Sequence, residues 1–88
     1  MSDNYTAPIA VLGNRTTHGG KIITATAGLT IDGRNVARVG DKVMCPEHGE
    51  VFITDGGAAT IEGRRLARHG SMTSCGATII VDDGGPSL

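Results

Sequence analysis

Three histidines and two cysteines, His18, His48, His69, Cys45 and Cys75, carry the most specific chemistry in this 88-residue chain. Neutral imidazole and thiolate are donors that zinc favours, four at a time in a tetrahedron, and four protein donors leave no position open for water. All five lie in Gly-rich segments: Thr17-His18-Gly19-Gly20, Cys45-Pro46-Glu47-His48-Gly49, Arg68-His69-Gly70 and Ser74-Cys75-Gly76. A glycine directly follows each histidine and Cys75, and a backbone free to turn sharply lets several loops approach one ion. Five donors exceed a closed site by one. The residues alone permit His18, His48, His69 and Cys75, or a set of two cysteines and two histidines that uses Cys45.

Plainer readings compete with this one. A lone histidine in a loop is usually solvated, Cys45 and Cys75 could pair as a disulfide, and buried thiols can be inert. Two features favour metal. The start, Met1-Ser2-Asp3-Asn4-Tyr5-Thr6, is polar and lacks the basic segment and apolar run of a secretory signal. The chain is therefore expected to be made in the cytoplasm, where thiols stay reduced and cysteine with histidine reads as metal chemistry. The second feature is the poor core. There is no Trp, one Tyr (Tyr5), one Phe (Phe52) and 14 Gly, and a domain this small is often marginal without a staple. Structural zinc contributes about 10–16 kcal/mol in small zinc peptides, against a total stability of about 5–15 kcal/mol for ordinary domains.

The elements that must position these donors are strands. A shift of 30 residues lays 18–45 on 48–75 without a gap, and 12 of the 28 pairs are identical, among them His18/His48 and Cys45/Cys75. That agreement identifies a tandem repeat. Partial copies flank it: Pro8-Ile9-Ala10-Val11-Leu12-Gly13 resembles a repeat's second half, and 77–84 echoes a strand and turn. Within each repeat an Asp32-Gly33 or Glu62-Gly63 pair stands between short β-type runs, the signature of a two-residue hairpin turn. No stretch sustains a 3.6-residue apolar period. The reading is all-β, one domain over 1–88, with short hairpins and tight loops. His69 has no repeat counterpart, because Val39 occupies the matching place.

Composition narrows the function classes. A net charge of −1 gives no basic face for nucleic acid, and no apolar run approaches a membrane span, so neither nucleic-acid binding nor stable membrane insertion is expected. A zinc hydrolase would need an open coordination position, a pocket and a base. Glu47 is the best base on offer, and a lone loop Glu is ordinarily a solvated charge. No catalytic residue is assigned.

The segments Thr17-His18-Gly19-Gly20, 32–41, Cys45-Pro46-Glu47-His48-Gly49, Ala67-Arg68-His69-Gly70 and Thr73-Ser74-Cys75-Gly76-Ala77 together resemble a PAAR-repeat protein over nearly the whole chain. Of the Pro-Ala-Ala-Arg name motif, only the Ala-Arg ending survives, in Asn35-Val36-Ala37-Arg38 and Arg65-Leu66-Ala67-Arg68. Ser71 and Asn14 stand where the family often has Asp. The resemblance implies a small cone of β-hairpins with pseudo-threefold repeats and one structural zinc ion near the apex. It implies three His and one Cys as ligands, matching His18, His48, His69 and Cys75, with Cys45 as the surplus thiol. It also implies a partner: the trimeric valine-glycine repeat spike of the type VI secretion system, one tip per trimer, with effector proteins as further cargo and delivery outside the cell on the spike. The tip of a phage tail or related contractile particle is the alternative setting. The sequence ends at Gly84-Gly85-Pro86-Ser87-Leu88, and no fused toxin is expected.

Overall fold

The Asp-Gly and Glu-Gly pairs turn the chain at the positions where hairpins are expected, Gly and Asp by preference and Glu62 by following the same turn. Asp32 and Gly33 have φ of 51° and 81°, and Glu62 and Gly63 have 55° and 82°. Two successive residues in the left-handed region make the turn whose twist suits a tight hairpin. The computed structural model describes residues 8–81. The two turns join β3 (Thr30–Ile31) to β4 (Arg34–Asn35) and β7 (Thr60–Ile61) to β8 (Arg64–Arg65), each an antiparallel two-stranded arm. A third sheet has the order β6-β5-β2-β1-β9, built from β1 (Arg15–Thr16), β2 (Lys21–Ile22), β5 (Lys42–Cys45), β6 (Gly49–Phe52) and β9 (Ile79–Ile80). All its pairings are antiparallel, and bridges Ile53↔Thr73 and Met72↔Thr78 carry the wall on from β6 into a last hairpin. The described residues form no helix.

Backbone hydrogen bonds show a pseudo-threefold plan. The Ala10 N–H donates to Ala67 O at 2.9 Å, Ala67 N–H to Ala37 O at 3.0 Å, and Ala37 N–H to Ala10 O at 3.1 Å, closing a ring. All three alanines are fully buried. A second cycle surrounds the first: Leu12 N–H to Asn35 O, Val39 N–H to Arg65 O, and His69 N–H to Pro8 O. Each third then makes the same corner. Val11, Arg38 and Arg68 donate their N–H groups to the side chains of Asn14, Asp41 and Ser71, three residues on, at 2.8, 2.8 and 3.0 Å. The glycines before those acceptors, Gly13, Gly40 and Gly70, have φ of 91°, 96° and 93°. Asn and Ser thus do at two corners what Asp does at the other, a short side chain accepting one buried N–H.

From each corner a hairpin runs out and returns, over 14–22, 41–53 and 71–79. Ile22, Ile53 and Ile79 end them equivalently, donating to Asn14, Asp41 and Ser71 O and accepting from Gly13, Gly40 and Gly70 N–H. These isoleucines pack in the core with Val43, Cys45, Val51 and the alanine ring. A second cluster, Ile9, Val11, Ala27, Val36 and Leu66, lies under the two arms. The body measures 39 × 24 × 23 Å. No helix among the described residues is long and apolar enough to cross a membrane.

Candidate metal centre

The hairpin tips bring four donors together. The first and third tips share a design. Thr16 and Thr73 open the turns, and their hydroxyls accept the N–H groups of Gly20 and Ala77 at 3.1 and 3.2 Å. The Thr16 and Thr73 N–H groups donate to Gly20 O and Ala77 O. His18 and Cys75 occupy the same place within these turns, one donor each. The middle hairpin is longer by two residues on each strand. Its inward-facing positions on β5 are Val43 and Cys45, and its tip carries His48. It therefore contributes two donors.

The ligand-capable atoms of His18, Cys45, His48 and Cys75 all lie within 4.8 Å of one another. Cys45 Sγ is 3.4 Å from His48 Nδ1 and 3.8 Å from His18 Nδ1, and Cys75 Sγ is 3.6 Å from His18 Nδ1. A tetrahedral zinc ion with ordinary bond lengths separates a sulfur from a nitrogen donor by about 3.6 Å. The donor types and spacings fit such an ion. With Nδ1 of both imidazoles turned inward, each ring must keep its proton on Nε2 to offer a lone pair. Both cysteines are free thiols. Cys45 is buried, His18 and Cys75 are half-buried, and His48 is exposed.

The electrostatics favour thiolate at Cys75. Its pKa is lowered from 9.0 to about 6, chiefly by the Thr73 hydroxyl 3.2 Å away. Burial pushes the other way, while the Ala77 N–H and contacts with His18 and Cys45 lower it further. A thiolate is the form that binds metal. Close packing holds the first tip against the second: a Cβ on Gly20 would collide with the Met44 carbonyl and crowd Cys45 Cα.

His69 lies elsewhere. The expected set of three histidines and Cys75 meets the structure in His18, His48 and Cys75, whereas the fourth place in the cluster is taken by Cys45. His69 stands at the threefold position of Leu12 and Val39, before the corner glycine and at the opposite end of the hairpin strand from Cys75. Its own N–H donates to Pro8 O at 2.8 Å, and its Nδ1 accepts the Val81 N–H at 3.0 Å. It thereby ties together the incoming and outgoing ends of the described chain. Around it a cleft of about 270 Å³ is lined by Asp55, Gly56, Arg68 and Ser71. Glu47 is exposed at the middle tip and is not among the four clustered donors.

A signal for Cys45 was present in the strand pattern. Alternation along Lys42–Cys45 puts Val43 and Cys45 on one face, and Val43 is wholly buried. Comparison with known proteins agrees with the architecture: the family model described as PAAR motif matches residues 12–81. No curated protein matches the chain.

Proposed function

The chain belongs to the PAAR-motif family, which is associated with sharpening the spike tips of type VI secretion systems, and from that premise we propose that it is a non-catalytic tip closed by one structural zinc ion. Its seat is the end of a trimeric valine-glycine repeat spike. It leaves the producing cell on that spike, alone or with an effector protein.

The observation that carries this reading is the closed ring of Ala10, Ala37 and Ala67, from which three equivalent corners and hairpins spring. One chain so built presents three similar faces, which suits a single copy to a symmetric trimer. The metal cluster supports a structural role. Four protein donors satisfy a tetrahedral ion and leave no position for a reacting water. A cross-link at the tips also stiffens a body whose core is mostly Ala, Val and Ile.

Light scattering on the purified complex of the zinc-loaded chain with its trimeric spike tests the reading. One tip per three spike chains is expected. One tip per spike chain, or no complex at all, would contradict it.

A further inference from the structure

We propose that Cys45 and Cys75 are also a redox pair, which peroxide converts to a disulfide that releases the metal while keeping the second and third hairpin tips joined. The inference rests on the two-cysteine, two-histidine site proposed above. The two thiols come from hairpins far apart in sequence, yet their sulfurs fall within the 4.8 Å spread of the cluster. A disulfide needs about 2.05 Å between them, so the two tips draw closer as the bond forms. The pair is asymmetric in access: Cys45 is 1 % exposed, and Cys75 is half-buried.

That asymmetry orders the chemistry. The Cys75 thiolate attacks one oxygen of hydrogen peroxide, the O–O bond breaks, and sulfenic acid and hydroxide form. The Cys45 thiolate then attacks the Cys75 sulfur, and the S–O bond breaks with departure of a second hydroxide. Two electrons leave the sulfur pair, one peroxide is reduced, and two protons from solvent convert the hydroxides to water. The disulfide sulfurs have lost their negative charge and no longer serve as ligands, which leaves only the His18 and His48 imidazoles. Such a pair suits a protein that folds where thiols are kept reduced and works where they are not. Metal staples the tips in the first setting, and a covalent bond in the second.

The test treats zinc-loaded, reduced protein with hydrogen peroxide and follows three readouts: zinc before treatment, zinc released to a chromophoric chelator, and thiol state by intact mass and peptide mapping. The expected result is one zinc released for each intramolecular Cys45–Cys75 disulfide, reversed by dithiothreitol with added zinc. Cys45→Ser is expected to stop at sulfenic or higher acids on Cys75. Bound zinc followed by sulfinic acid or intermolecular dimers, with no Cys45–Cys75 link, overturns this inference and leaves the site intact. A parent protein that holds no zinc before treatment overturns the site and the release step with it. Disulfide formation in the metal-free protein would then show that only the pairing survives.

Discussion

Cys45 faces inward from β5, 1 % exposed, with its sulfur 3.4 Å from His48 Nδ1. Removing it takes away a donor that solvent is poorly placed to replace. Cys45→Ala is therefore expected to weaken zinc binding by more than the roughly 10–100-fold that loss of a supporting residue costs, whereas His69→Ala keeps the ion. Competition with a chelator of known affinity checks both; metal loss in His69→Ala alone would reverse the assignment. His69→Ala instead frees the Val81 N–H, which amide exchange reads as lost protection. At Cys75 the pKa of about 6 lies below its ordinary 9.0, Thr73 being the main cause. The folded metal-free chain thus favours the thiolate. That contribution is fully present above about pH 9, shrinks as pH falls, and is gone below about 6. Denaturant midpoints of metal-free parent and Cys75→Ser should diverge as pH rises across that window, and a constant difference would contradict the shift. The sequence made all five donors visible and left their choice open. A gapless repeat pairs His18 with His48 and singles out His69 as the extra donor. The fold instead makes His18 equivalent to Cys75, and His69 equivalent to Leu12 and Val39.

At the scale of elements, the hairpins were the most legible part. Asp32-Gly33 and Glu62-Gly63 specify their turns locally, and the arms form as that chemistry directs. The threefold ring was less so, because its third member lies in Pro8–Gly13, outside the gapless repeat. Register also slips. The 30-residue shift pairs Ile23 with Ile53, but Ile22 is the buried counterpart, since the first hairpin is shorter. A side chain larger than Ala has no room in the ring, so Ala37→Val is expected to destabilise by about 1–3 kcal/mol through overpacking. Urea unfolding measures this, and a neutral result would show the ring to be loosely packed. Gly20→Ala strikes the Met44 carbonyl beside Cys45. It is expected to lower both stability and zinc affinity, read by the same titrations, because it pushes the first tip from the second.

The whole molecule joins two kinds of closure, a backbone ring of three alanines and a cluster of four donors on three hairpin tips. The described hydrophobic core holds no aromatic side chain, and its largest fully buried side chains are isoleucines. An ion that contributes about 10–16 kcal/mol in small zinc peptides is a large term beside the total stability of a typical domain, about 5–15 kcal/mol. Chelation is accordingly expected to lower the melting temperature steeply and to release protection in all three hairpins together, since each tip donates at least one ligand. Zinc-edge X-ray absorption on the loaded protein tests the central claim most directly, because it counts the ion and its donors at once. The account predicts one zinc per chain with two sulfur and two nitrogen neighbours and no oxygen; one sulfur with three nitrogens, or an oxygen in the coordination sphere, would contradict it.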